Sequence, residues 1–205
     1  MELEKDQVKK IYEKIAIDFS VKRLNKWNWI DIFINSFSYN SSLLDIGCGN
    51  GRNMFYCYYN FYGVDNCENF IKICKDQQLN VKLSDMTVLP FENNFFDGII
   101  SIASFHHLST IERRIESLKE MKRVLKSNGR ILLSVWSINQ THNNKLNNRF
   151  KYGDNLVPWK NNKGENLGNR YYYIFTLEEI SKLLETLFII ESHDWIHGNE
   201  VFILK

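Results

Sequence analysis

Residues 45–51 read Asp45-Ile46-Gly47-Cys48-Gly49-Asn50-Gly51, DIGCGNG, and follow the apolar residues Leu43 and Leu44. The apolar run reads as a buried strand, and Met54, Phe55 and Tyr58 beyond the glycines read as the start of a helix. Strand, glycine turn, helix is the order of a nucleotide-type cofactor site. Glycines there let the backbone turn sharply and approach a ligand with no Cβ in the way. The spacing is G-x-G-x-G, not the G-x-G-x-x-G of dinucleotide binders. A carboxylate at Asp45 would repel a pyrophosphate but suits a ligand carrying an ammonium and a sulfonium. That ligand is S-adenosylmethionine, with Asp45, Gly47, Gly49 and Gly51 as its candidate binding residues.

Downstream, FYGVD (61–65) reads as a second strand ending in Asp65, placed to accept hydrogen bonds from ribose hydroxyls. Phe70, Ile71 and Cys74 suggest a helix, and VKLSD (81–85) a third strand ending in Asp85. Asp85 is placed for an adenine amino group, with Met86 packing on the ring. FFDGIISIASFHH (95–107) is the longest strand signal, and its continuous apolar run argues a central parallel strand covered on both faces. Ligands in such sheets sit at the carboxyl ends of the strands, so Ser101, the stretch 104–110, and His106 with His107 are expected at the pocket.

Ile111, Ile115, Leu118, Met121 and Leu125 form one face of a helix expected to stop at Asn128-Gly129, and RILLSVWSI (130–138) is a fifth strand bringing Trp136 to the same edge. Residues 139–169 are rich in Asn and Lys and read as a long or partly disordered loop with one apolar island, GDNLVPW (153–159). Thr176 and Glu179 have the spacing of a capping box before an amphipathic helix, and 188–196 with 200–204 read as a closing hairpin. Upstream, Val8, Ile11, Tyr12 and Ile15 predict a helix over 3–16, and Ile30, Phe33, Ile34 and Phe37 a second. Between them Phe19, Arg23 and Trp27 follow no period, as a lid or ligand wall would. The fold class is therefore α/β, a Rossmann-like class I methyltransferase with a seven-stranded, mostly parallel sheet, a C-terminal antiparallel hairpin and helices on both faces.

The chain of 205 residues fits a single domain, 1–205, with 1–40 as N-terminal helices and lid and 139–169 as a substrate-side loop. No apolar run reaches the length of a membrane helix, and the charged N-terminus MELEKDQVKK lacks a signal-peptide core. Four cysteines without CxxC pairing point to no metal site and no disulfide framework, which fits a cytoplasmic or nuclear compartment. The net charge is +2, yet Arg113 to Arg170 holds thirteen Lys or Arg against four acids, a balance suited to a polyanionic substrate.

Beyond the glycine loop, the chain resembles the tRNA methyltransferases that esterify 5-carboxymethyluridine at the wobble position. The resemblance is carried by Val8 to Ser20, Arg23 with Trp27, LLDIGCGNGR, GVD, SIASFHHLST with ERR (112–114), GDNLVPW and RYYYIF (170–175). The chain departs from that family at Asn28, where a proline is usual, and at LKSNGR. The resemblance implies methyl transfer from S-adenosylmethionine to a carboxylate on the tRNA anticodon stem-loop, and a small zinc-binding activator protein as partner. A carboxylate with a pKa of about 4 is already ionised at neutral pH, so no general base is needed. The task is orientation, for which an arginine can grip both oxygens. Arg23 is the first candidate and Arg170 the second, with His106 and His107 as hydrogen-bond partners. Trp27, Trp136, Trp159 and Tyr171 are candidates for stacking on a splayed-out base. The competing readings are a small-molecule O- or N-methyltransferase and a non-catalytic RNA-binding subunit.

Overall fold

The computed structural model describes residues 2–140 and 150–205. A helical segment comes first: α1 (Glu2–Glu4), a π-helical turn (Lys5–Lys9) and α2 (Lys10–Lys22), followed by α3 (Asn28–Ile34). The main body is β1 (Ser42–Ile46), β2 (Asn60–Asp65), α4 (Glu68–Asp76), β3 (Val81–Leu83), β4 (Phe96–Ile102), α5 (Ile111–Val124) and β5 (Leu125–Trp136). It continues through β6 (Gly153–Lys160), β7 (Asn166–Ile174), α6 (Leu177–Glu185), β8 (Ile190–Ile196) and β9 (Asn199–Leu204).

Seven strands form one sheet in the order β3-β2-β1-β4-β5-β9-β8, and β6 pairs with β7 in a separate antiparallel sheet. The first five strands are parallel, while β9 runs antiparallel to β5 and to β8. The expected parallel sheet with its closing hairpin is thus present. His197 and Gly198 close that hairpin, both with the positive φ that a two-residue turn of this kind requires. Strand order reverses between β1 and β4, and in an open α/β sheet such a switch point opens a crevice at the carboxyl ends.

Both faces of the sheet are buried. Leu44, Ile46, Ile99, Ile131 and Leu133 pack toward Leu118 and Met121 of α5 and Ile180 and Leu184 of α6. Leu43, Ile100 and Leu132 belong to a second cluster with Ile30, Phe33 and Ile34 of α3 and Ile71 and Cys74 of α4. Covering on both sides explains why these strands read as continuous apolar runs.

Four local expectations are corrected. No helix follows the glycine turn, since residues 52–59 are turns and irregular backbone. Met54 and Phe61 are instead buried in the α3 cluster, and Tyr56 donates to Asp31 of α3, so tertiary contacts take the place of a helical face. The strand of residues 95–107 ends at Ile102, where Ala103 turns with φ +52 and Phe105–His107 form a 3-10 turn. Helix α5 ends at Val124 and passes directly into β5, so Asn128-Gly129 lies inside a strand. Gly129 is there for packing, because a Cβ would meet Leu125 Cδ1 at 2.6 Å.

The 139–169 stretch is not one loop, since β6 and the start of β7 occupy much of it. Asn161 Oδ1 accepts from the backbone of Lys163 and Glu165, and Gly164 turns with φ +82, so this Asn builds the hairpin turn. The pairs Asn143-Asn144 and Asn147-Asn148 lie outside the described residues.

Candidate active site

A cleft with about 1240 Å³ of empty space, counting its open mouth, runs across the carboxyl ends of β1, β2 and β4 beneath the N-terminal helices. One end is lined by Glu4, Asp85, Met86 and Arg113, the middle by Gly47, Gly49, Asn53 and Asp65, and the other end by Arg23, Trp27, His107, Trp136, Arg170 and Tyr172.

Gly47, Gly49 and Gly51 all have left-handed φ, +74, +54 and +76. A Cβ on Gly47 would lie 2.4 Å from Ser104 Cβ, and one on Gly51 2.3 Å from Leu79 Cδ1. A Cβ on Gly49 would meet, beyond its chain neighbours and among the described residues, only Phe19 Cε1, at 3.8 Å, so its bare face borders the cleft. Gly49 N–H donates to Asp65 Oδ2 at 2.9 Å and Cys67 N–H to Asp65 Oδ1 at 2.9 Å, which ties the glycine turn to the end of β2. Burial pushes the Asp65 carboxyl up to about 6.

Asp45 is buried under the turn and does not line the cleft; Asn53, which does, donates to its Oδ2 at 3.4 Å. Asp45 Oδ1 and Asn53 Oδ1 are both buried without a hydrogen-bond partner among the described residues. Burial pushes Asp45 up to about 7. Two orphaned acceptors on hydrogen-bonded neighbours are what an ammonium group would satisfy. Ser101 likewise sits beneath the cleft floor, its Oγ 2.9 Å from Ser104 Oγ, and Ser104 donates to Ile46 O.

Asp85 Oδ1 accepts from Thr87 N and Oγ1, and Oδ2 accepts from Arg113 Nη2 at 2.7 Å. Burial works against its charge, but Thr87 and Arg113 hold its pKa below the ordinary value. Arg113 Nε also donates to Glu4 Oε2 at 2.8 Å, and Glu4 Oε1 accepts from Ser109 N at 2.6 Å. The N-terminal segment is thereby pinned over this end of the cleft.

At the opposite end Arg170 is 5% exposed, and among the described residues no carboxylate pairs with it. Its guanidinium lies 4.7 Å from the Trp159 ring, 5.2 Å from Tyr172 and 5.9 Å from Tyr12, and its buried Nε has no partner among the described residues. Burial disfavours its charge, yet Tyr172 and Tyr12 more than offset this and raise its pKa. Arg23 lies exposed at the mouth with its guanidinium 5.9 Å from the same indole.

His107 Nδ1 stands 2.6 Å from Tyr171 O and Nε2 3.0 Å from Tyr12 Oη. A carbonyl only accepts, so Nδ1 carries the proton and Nε2 accepts from tyrosine. Burial pushes His107 down to about 3, which keeps it neutral. His106 is fully buried and outside the cleft lining; its Nδ1 accepts from Trp136 N at 3.0 Å and its Nε2 is orphaned.

The aromatic candidates separate. Trp136 lines the cleft, stacked 4.2 Å from Tyr172, and Trp27 lines it beside Arg52, whose guanidinium is 5.0 Å from its ring. Trp159 and Tyr171 do not line it: Trp159 supports Arg170 and donates to Asp18 at 2.5 Å, while Tyr171 donates to Asp154. Side chains alternate along β7, so when Arg170 faces the cleft Tyr172 does too and Tyr171 points away. Tyr12, Arg52, Asn53, Arg113 and Tyr172 are cleft residues that sequence reasoning did not assign there. For Tyr172 the alternation from Arg170 was the available signal.

The basic block is largely committed to internal partners. Arg113, Arg123 and Lys126 pair with Glu4 and Asp85, with Glu120 and with Asp97, and Arg114 donates to Leu108 O. Lys151, Lys160 and Lys163 remain exposed around the β6–β7 hairpin, while Lys145 and Arg149 lie outside the described residues.

Residues 44–133 match the family model described as a methyltransferase domain. The chain is 32% identical over 210 residues to a tRNA (carboxymethyluridine(34)-5-O)-methyltransferase of Schizosaccharomyces pombe, covering 91% of this chain and 90% of that one. The chain belongs to this tRNA methyltransferase family. An Arabidopsis thaliana relative of the same name is 40% identical over 142 residues, 68% of this chain and 35% of its own length. The chain thus spans about a third of that relative. Among solved structures, a chain of the complex between the Haloferax volcanii Trm112 methyltransferase activator and a methyltransferase has a TM-score of 0.69 at 12% identity, covering 96% of both chains. That likeness is one of fold.

S-adenosylmethionine is the cofactor of this fold and family, and the cleft fits it. The glycine turn presents backbone without Cβ, Asp45 and Asn53 hold unmatched acceptors, and Asp65 and Asp85 stand at the ends of β2 and β3. No helix among the described residues is long and apolar enough to cross a membrane.

Proposed function

We propose that this chain transfers the methyl group of S-adenosylmethionine to the carboxylate of 5-carboxymethyluridine at the tRNA wobble position, giving the methyl ester. The observation that carries the reading is Arg170, a buried guanidinium on the cleft wall with no acid beside it among the described residues. A buried, unpaired charge costs several kcal/mol, so a protein that keeps one in its cleft is built to receive an anion there. A planar guanidinium matches a carboxylate in shape as well as charge.

The bound cofactor supplies an electrophilic methyl group on its sulfonium. Arg170, with Arg23 at the mouth, holds the acceptor carboxylate in line with that group. The carboxylate is ionised at neutral pH, so the neighbouring histidines need not remove a proton. His107 accordingly serves as a neutral strut between α2 and β7. The rings of Tyr12, Tyr172 and Trp159 around Arg170 exclude water, which would otherwise blunt both the guanidinium and the nucleophile.

Residues 1–205 act as one methyltransferase unit, with 1–40 as its lid. The anticodon stem-loop lies across the hairpin side, where Lys160, next to Trp159, and Lys163 in the hairpin turn are exposed. A small zinc-binding activator is the partner, and the exposed Phe55 and Tyr58 are its candidate surface. The setting is cytoplasmic. The test is Arg170→Gln: cofactor affinity by calorimetry stays near wild type while methyl transfer to carboxymethylated tRNA is lost. Retained transfer would overturn the role of Arg170.

A further inference from the structure

The hydrogen bonds around Tyr12 have only one consistent set of directions. Tyr171 O accepts from His107 Nδ1–H, which leaves His107 Nε2 as an acceptor for the Tyr12 hydroxyl proton at 3.0 Å. Tyr12 has no second proton. Its oxygen therefore accepts from the Tyr172 hydroxyl at 3.4 Å and from Arg170 Nη1 at 3.5 Å.

A guanidinium can grip a carboxylate side-on through two terminal nitrogens or through Nε and one terminal nitrogen. Here one Nη1–H is turned to Tyr12 and Nε is buried, so the terminal Nη1–Nη2 edge, with its remaining N–H groups, is the one left for a ligand. The rings of Trp159, Tyr172 and Tyr12 fix the plane of the guanidinium, and the Tyr12 oxygen fixes its rotation within that plane.

We propose that Tyr12 is the positioning residue that fixes the rotation of the Arg170 guanidinium, aims its terminal Nη1–Nη2 edge at the substrate and thereby makes the site select a carboxylate over a carboxamide; this rests on the carboxylate reading above. A fixed pair of N–H donors fits two carboxylate oxygens. An amide of the same shape must present its own NH₂ to one donor, and a site that cannot turn leaves that pair unmade. Tyr12 comes from the lid, so docking of α2 completes the selective edge.

The test measures binding of two anticodon stem-loops, one carrying 5-carboxymethyluridine and one the carbamoylmethyl isostere, to the full chain saturated with S-adenosylhomocysteine. Wild type is expected to prefer the carboxylate RNA. Arg170→Gln erases the preference, and Tyr12→Phe reduces it about tenfold, the effect of one hydrogen bond to a charged group, with unchanged S-adenosylhomocysteine affinity; its melting temperature falls modestly because His107 Nε2 loses its donor. A Tyr12→Phe variant that keeps the full preference while Arg170→Gln loses it overturns the role of Tyr12 and leaves the carboxylate reading standing. Loss that comes with lowered S-adenosylhomocysteine affinity also overturns it, as a merely structural role. A wild type without preference overturns the carboxylate reading and the inference with it.

Discussion

Tyr12 Oη stands 3.0 Å from His107 Nε2, joining the lid helix to the turn after β4 across 95 residues of sequence. With Nδ1 held by Tyr171 O, this histidine has no free nitrogen with which to act as a base. The turnover rate kcat should therefore be flat from about pH 5.5 to 8 and fall only as the substrate carboxyl protonates near its ordinary pKa of about 4. An ascending limb near pH 6.5 in kcat would show a histidine base at work.

Asp45 and Asp65 titrate differently from the histidines. Their pKa values are raised to about 7 and about 6, so between the ordinary carboxyl range and those values the unliganded fold binds protons that the unfolded chain has released. Their contribution to stability thus declines as pH rises through that window. Asp45→Asn should raise unliganded stability at pH 8 by on the order of a few kcal/mol while weakening cofactor binding, read by thermal melts and calorimetry. For the same reason wild-type kcat/KM for the cofactor should rise between pH 5.5 and 7.5. Equal stability of Asp45→Asn and wild type at pH 8 would show that Asp45 is not strained by burial.

The glycines of the turn should separate under substitution. Gly47→Ala adds a left-handed alanine and a 2.4 Å approach to Ser104 Cβ, so it should lose several kcal/mol of stability. Gly49→Ala has room for its methyl and should lose only about 1 kcal/mol while losing cofactor affinity, because the methyl occupies the cradle. Equal melting temperatures for the two variants would contradict this division.

Arg170→Lys keeps the charge but not the fork. It should stay at least about a hundredfold below wild type in kcat/KM for the tRNA. No internal acid among the described residues loses a partner, so its fold should lose only the guanidinium's contacts with Trp159, Tyr172 and Tyr12, about 1–2 kcal/mol. Near-wild-type transfer by the lysine variant would mean that charge alone suffices.

Much of this was legible in the chain. The parallel strands announced themselves as apolar runs because helices cover both faces, and the left-handed glycines did so because no other residue sits there without strain. The β6–β7 hairpin was hidden because its Asn residues, which build the turn, look like loop composition. Met54, Phe55 and Tyr58 mimicked a helix by spacing alone: Met54 packs in the α3 cluster, while Phe55 and Tyr58 are exposed. Tyr12 was read as part of an apolar helical face. Its hydroxyl contacts come from β7 and the turn after β4, and no local pattern records them. Trp159 and Tyr171 were assigned by residue type, where strand alternation from Arg170 would have chosen Tyr172.

The most direct measurement is methyl transfer from radiolabelled S-adenosylmethionine to tRNA carrying 5-carboxymethyluridine, beside identical tRNA lacking the carboxymethyl group, with and without a zinc-binding activator. Label in the carboxymethylated tRNA alone, released by mild alkaline ester hydrolysis, is the predicted result. Label in neither tRNA despite cofactor binding, or label that survives alkali, would contradict the carboxylate account.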